Sequence, residues 1–158
     1  ETGSGFGAET AAAARQIGAA GLEVSGAGGT SFLDVELEHL PARDHSLWEA
    51  FRDWGIPTAA AVRLAAGAGL PVIGSGGVRT GLDVARVIAL GGRVGGVAAP
   101  MVWEWHKNGI EGMERYVEHL IEGLKITMTL TGAANIDELA SVPYIAGPTL
   151  KGWITGGH

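Results

Sequence analysis

The stretch LPVIGSGGVRTGLDVARVIALGG, Leu70–Gly92, decides the fold. Its opening LPVIG is an apolar run that reads as a buried strand. At the other end, Thr80 followed three residues later by Asp83 has the form of a capping box, and Leu82, Ala85, Ile88 and Ala89 share one helical face up to Gly91. Between strand and helix lies GSGGVRTG, with four glycines in eight residues. Glycine costs backbone entropy, so such a cluster at an element boundary marks a demanding turn or the close approach of something bound.

The same order recurs outward from this segment. Ala8–Ala20 is alanine-rich and is followed by Gly21, which reads as a helix and its stop; LEVSG, Leu22–Gly26, then reads as a short strand running into GAGGT. Pro57 suits the first turn of a helix over PTAAAVRLAAGA, closed by Gly69 ahead of LPVIG. VGGVAAPMV holds a third strand. Ile110, Met113, Val117, Leu120, Leu124 and Met128 form one stripe of a long helix ending at Gly132. Helix alternating with fully apolar strand implies parallel βαβ units. An open doubly wound sheet and a (β/α)8 barrel both fit, although only three clear strands are present where a barrel needs eight.

Composition excludes several classes. The 158 residues suffice for one domain with a core, and no second composition block argues for two. The 27 glycines are scattered between apolar runs without a collagen or linker period. The absence of cysteine excludes disulfides, thiol catalysis and cysteine-ligated metal, and fits a reducing, cytoplasmic compartment. A net charge of −6 without clustered Lys and Arg argues against nucleic acid as a partner. No apolar run reaches the roughly 18 residues of a membrane span, so no membrane partner is expected.

In a parallel sheet, ligands lie beyond the carboxyl ends of the strands, and both VSGAGGT and VIGSGGVRTG are glycine loops at such ends. Glycine lets backbone N–H groups approach a phosphate, the following helix N-terminus adds partial positive charge, and the Arg79 guanidinium matches phosphate oxygens. The loop lacks the G-x-G-x-x-G dinucleotide spacing and the Gly-Lys-Ser/Thr end of a P-loop. Taken singly, each loop is equally well a tight turn and nothing more; two such loops plus a strand ending VAAP favour a phosphate site. The barrel template adds a short extra helix beside it, for which PMVWEWH is the candidate.

SGAGGTSF, DWGIPTAAAV, VIGSGGVRTGLDVARVIALGG, GVAAPM and LKITMTLTGAANIDEL together resemble the C-terminal half of the type 2, flavin-dependent isopentenyl diphosphate isomerases, nearly end to end. The α-hydroxyacid oxidases share the GGVRTG type of loop but have His-Gly-Gly-Arg where this chain reads GAGGT. The resemblance implies an α/β fold, the C-terminal half of a (β/α)8 TIM barrel, with residues 1–158 running from just after strand 5 through strand 8 and the C-terminal helices as one portion of a single FMN-binding domain. It implies that FMN is held at Ser25 and Thr30, at the turn Gly77, Val78 and Arg79, and at Ala98 and Ala99. Those assignments suit the residues: Ser25 and Thr30 flank a glycine loop, Gly77 to Arg79 lead into a helix, and two alanines leave room for a phosphate.

The implied reaction interconverts isopentenyl and dimethylallyl diphosphate on reduced FMN acting as acid and base, with NADPH as the flavin reductant and Mg2+ bridging the diphosphate. Glu36 matches a glutamate facing the substrate and is the catalytic candidate; the neighbouring Asp34 and Glu38 offer the competing reading of a solvated acidic edge. Phe32 is placed against the substrate's apolar tail. His106 and His119 read as surface or packing residues, and Trp48, Trp54, Trp103, Trp105 and Trp153 as core or interface anchors. Gly91, Gly92 and Arg93 stand where many members read Gly-Ala-Asp. The chain begins at Glu1 without a Met, and the family's flavin-contacting Lys, its Arg-Lys substrate grip, its catalytic His and Gln and its Mg2+-holding Glu find no match in this chain. The expectations that follow are no metal ligand here, inactivity of the chain alone, a missing N-terminal half of the barrel as partner, whether cleaved off, a separate chain or partly disordered, and a homo-oligomer. The alternatives are a flavin oxidoreductase of the hydroxyacid oxidase type and a non-catalytic phosphate-binding module.

Overall fold

The computed structural model describes residues 4–41 and 44–156. In chain order the elements are α1 (Ala8–Gln16), β1 (Leu22–Val24), a 3-10 turn (Gly26–Gly28), α2 (Phe32–His39), α3 (His45–Glu49), α4 (Thr58–Ala66), β2 (Val72–Gly74), α5 (Gly81–Ala89), β3 (Val94–Gly95), α6 (Ala99–Thr131), α7 (Ile136–Ala140) and α8 (Pro148–Thr155). The strands form one parallel three-stranded sheet in the order β1-β2-β3, with Val24 opposite Gly74 and Gly74 opposite Gly95. The α/β alternation expected from LPVIGSGGVRTG and its surroundings is present.

One sheet face is packed. Leu22, Val24 and Val72 turn toward α4, whose Ala60, Ala61, Val62 and Ala65 are fully buried. Alanine on that helix face lets its backbone approach the strands closely, and Val62 and Val87 fill the space above Gly74: a Cβ there would lie 2.8 Å from Val62 and 2.7 Å from Val87. Each of Val24, Val62 and Val72, buried completely, contributes about 1.5–3 kcal/mol relative to exposure. The other face, carrying Glu23, Ile73 and Val94 side by side, is open, with Ile73 40% and Val94 51% exposed. Among the described residues, no strand pairs with the outer edge of β1 or of β3.

Several expectations are corrected. The first helix ends at Gln16 rather than Ala20, its last turn closing at Ile17 ahead of a glycine. α5 buries two sides instead of one: Val87 and Leu90 join the sheet core, while Ala85 and Ile88 join a second cluster with Ala133 and Leu139. Leu82, placed on the single predicted stripe, is 45% exposed, because the helix lies between the sheet and α6 with that position outward. The stripe of α6 also splits. Leu124 and Met128 pack on α5, but Ile110 is 69% exposed. α5 covers only the later turns of the stripe, while Ile110, Met113 and Val117 line an open groove with Met101. Gly109, at φ 64° and ψ −157°, breaks the helix just before the stripe and redirects the segment that precedes it. The PMVWEWH helix therefore exists as the opening arm of α6. Trp48, Trp54, Trp103 and Trp105 are exposed and anchor no core. No helix among the described residues is long and apolar enough to cross a membrane.

Candidate functional site

Both glycine loops lie at the carboxyl ends of adjacent strands and pack backbone to backbone. A Cβ on Gly29 would stand 2.9 Å from Gly76 Cα, and one on Gly77 would collide with the Gly28 carbonyl. Gly76 and Gly77 both take positive φ, 69° and 89°, which L side chains rarely adopt. Thr58, the first residue of α4, ties the loops together: its hydroxyl is 2.6 Å from the Ser25 carbonyl oxygen and 2.7 Å from that of Gly76. A single O–H proton is thus shared between the ends of β1 and β2.

The loops wall a cavity of about 580 Å3, within the usual range for a small-molecule site. Ser25, Thr30, Gly77, Val78, Arg79, Ala98 and Ala99 all line it. The N–H groups of Gly77, Val78 and Ala99 have no acceptor among the described residues. For Val78, only 5% exposed, this stands out, since buried backbone N–H groups are nearly always paired. The N–H of Arg79 is different: it donates to Asp83 Oδ2 at 3.3 Å. Arg79 therefore offers its exposed guanidinium rather than its amide.

The turn is held by the capping box the sequence announces. Thr80 donates to Asp83 Oδ2 from its N–H at 3.0 Å and its hydroxyl at 2.8 Å, and accepts from the Asp83 N–H at 3.2 Å. Partial burial pulls the Asp83 carboxyl upward, but the bonds from the Thr80 hydroxyl, the Arg79 and Thr80 amides and Arg86 outweigh it and hold the group below its ordinary value. α6 begins at the same cavity, with Ala98 as N-cap and Pro100 in its first turn.

Sequence reasoning missed Thr58, Glu23, Ser75 and Trp103. Ser75 and Glu23 lie on the cavity wall and are joined by a hydrogen bond from the Ser75 hydroxyl to the Glu23 carboxylate. An acidic residue between two buried ones in LEV was the available signal. Phe32 lines the cavity, 63% exposed, as does Trp103. Glu36 does not: it is exposed on α2, and in helical geometry Asp34 and Glu38 share a face from which Glu36 points away. His106 and His119 are exposed. Arg93 pairs with Asp137 at 3.3 Å, away from the loops. Among the described residues no three His, Asp or Glu side chains gather as a metal site would require.

A family model described as FMN-dependent dehydrogenase matches residues 6–144. The chain belongs to that family. Its curated relatives include proteins named isopentenyl-diphosphate delta-isomerase from Methanopyrus kandleri, 40% identical over 98% of this chain and 43% of the relative, and from Methanocaldococcus jannaschii, 42% identical over 98% and 44%. One from Halobacterium salinarum is 41% identical over 92% and 41%. The chain thus spans less than half the length of these relatives. Among solved structures it is similar to a lactate oxidase of Pediococcus acidilactici, with TM-score 0.70 and 25% identity over 89% of this chain and 34% of the other. A mandelate oxidase variant with a monooxide FMN adduct gives TM-score 0.72 and 25% identity over 90% and 40%.

The residues present fit the FMN phosphate. The glycine cradle leaves no room for a Cβ on Gly76 or Gly77, unpaired amides line the cavity, and a cation stands beside them. That is the donor set a phosphate dianion requires.

Proposed function

We propose that this chain is the part of a flavin-dependent isopentenyl diphosphate isomerase that holds the FMN phosphate, and that residues 1–158 form the C-terminal half of a (β/α)8 barrel. The observation carrying the reading is the convergence of the two glycine loops on one cavity, with the amides of Gly77, Val78 and Ala99, unpaired among the described residues, beside Arg79. Relatives of that name match along 98% of the chain at about 40% identity. The open sheet face and the edges of β1 and β3, unpaired among the described residues, suit a sheet that continues into further strands. On this reading the N-terminal half is the partner that closes the barrel and brings the Mg2+ ligand. NADPH reduces the flavin, the assembly is a homo-oligomer, and the compartment is the cytoplasm.

The roles follow from position. Gly77, Val78 and Ala99 offer N–H groups to the phosphate, Arg79 adds a charge-assisted contact, and Ala98 leaves space for the oxygens. Ser25 and Thr30 take the polar groups between phosphate and ring. Reduced FMN, when bound, supplies the acid and base groups for moving the double bond. Phe32 and Trp103 line the mouth and keep water from the apolar substrate tail. Glu36 remains the proposed substrate-facing carboxylate, which requires α2 to turn it inward when the barrel is complete.

The test is an anaerobic assay of the complete protein with isopentenyl diphosphate and reduced FMN. Formation of dimethylallyl diphosphate is expected; flavin reduction by lactate or mandelate without isomerisation would favour an FMN-dependent hydroxyacid oxidoreductase. That second reading rests on the likeness to the oxidase structures. Undiminished activity after Thr30→Val and Arg79→Ala would leave a non-catalytic phosphate-binding module.

A further inference from the structure

The Arg79 peptide is gripped from two directions. Its N–H donates to Asp83, as described, and its carbonyl oxygen accepts from the hydroxyl of Tyr116 at 2.8 Å. Tyr116 lies on α6, 37 residues away in sequence. Two turns further along α6, the helix backbone meets the start of α5. A Cβ on Gly81 would collide with the Leu120 carbonyl and the Leu124 amide, and one on Gly123 would stand 3.3 Å from Gly81 Cα. Leu124 and Met128 then seal the contact against Ala85 and Ile88.

α6 therefore does two things for one cavity. Its first turn forms part of the wall through Ala98, Ala99 and Trp103, and its middle fixes the short segment Arg79–Gly81 that joins the glycine turn to α5. With the peptide units before and after Arg79 both anchored, the directions of its Cα–Cβ bond and of the neighbouring amides are set. Half-burial and then the Asp83 carboxylate push the Tyr116 phenol above its ordinary value, the Arg79 guanidinium opposing and Glu104 adding to the rise, so the hydroxyl keeps its proton and donates throughout the neutral range.

We propose that Tyr116 is a positioning residue for the phosphate group of the flavin, acting through the Arg79 carbonyl and not by touching the ligand. The inference rests on the FMN reading above and goes beyond it, since Tyr116 lies outside the cavity wall. Loss of one neutral hydrogen bond to the turn is expected to weaken phosphate recognition about three- to tenfold. It leaves recognition of the isoalloxazine ring untouched.

The experiment compares dissociation constants of FMN and riboflavin, which differ only in the phosphate, for the apo form of the complete flavoprotein and its Tyr116→Phe variant. The expected result is an FMN dissociation constant raised about three- to tenfold with that of riboflavin unchanged. Gly123→Ala, which pushes α6 away from Gly81 without altering the hydroxyl, should shift the same ratio and serves if Tyr116→Phe does not fold. An unchanged ratio of FMN to riboflavin affinity in Tyr116→Phe, or in Gly123→Ala where Tyr116→Phe does not fold, or an equal loss for both ligands, overturns the role of Tyr116. If the unaltered protein itself fails to prefer FMN over riboflavin, the phosphate site falls, and this inference with it.

Discussion

Thr58→Val removes one oxygen and keeps the shape of the side chain. In the structure that oxygen lies 2.6 Å from the Ser25 carbonyl and 2.7 Å from the Gly76 carbonyl, with one proton to serve both. The variant loses one net hydrogen bond, about 0.5–1.5 kcal/mol, and leaves half-buried carbonyls facing a methyl group, so a total of about 1–3 kcal/mol is expected. Part of that penalty falls on loop position, because the same two carbonyls set the separation of the strand ends that wall the cavity. If about 1.4 kcal/mol of it is expressed there, FMN binds tenfold more weakly. Urea unfolding of the apo flavoprotein measures the first effect, and flavin fluorescence titration with FMN and with riboflavin measures the second. Thr58→Ser restores the hydroxyl without the methyl and should recover most of the FMN affinity. Equal behaviour of the Val and Ser variants, or a full stability loss with FMN affinity intact, would refute the bridging argument.

Arg79→Ala should lower FMN affinity and leave riboflavin affinity unchanged, since the guanidinium is exposed beside the cavity and packs against no core; isothermal titration with both ligands checks it. Gly76→Ala, at φ 69° and with its Cβ driven into the Ser25 carbonyl, should destabilise by at least about 1–2 kcal/mol and abolish flavin retention, read from the absorbance of the purified protein. The Asp83 carboxyl is held below its ordinary value in the folded state, so its contribution is complete above about pH 4 and is lost as the pH falls through the lower folded value. Asp83→Asn should therefore flatten the acid limb of stability below about pH 4, measured as the urea midpoint against pH. Glu36→Gln, if the proposed role holds, lowers kcat at least about a hundredfold with FMN affinity unchanged; full turnover would return Glu36 to a solvated helix face.

Much of the architecture was legible because it is written in local pattern. Pro57, the apolar LPVIG and the Thr80–Asp83 pair mark element ends by chemistry that acts over three or four residues, and the structure places α4, β2 and α5 accordingly. The two glycine loops were visible for the same reason. The errors came where a single stripe was read as a single partner. α5 buries two faces because it is sandwiched, and the α6 stripe divides because α5 covers only its later turns at Leu124 and Met128 and leaves Ile110 exposed.

By itself the sequence determined the alternation of helix and strand, the capping of α5 and the presence of two glycine turns at strand ends, all consequences of steric and hydrogen-bonding rules within a few neighbours. Only the tertiary structure decided that those turns touch, that Thr58 joins them across 33 and 18 residues, and that Tyr116 reaches Arg79 across 37. The physical reason is that a hydrogen bond between distant residues requires no periodicity and leaves none behind: it exists only once packing of α4 and α6 against the sheet has brought donor and acceptor within 3 Å.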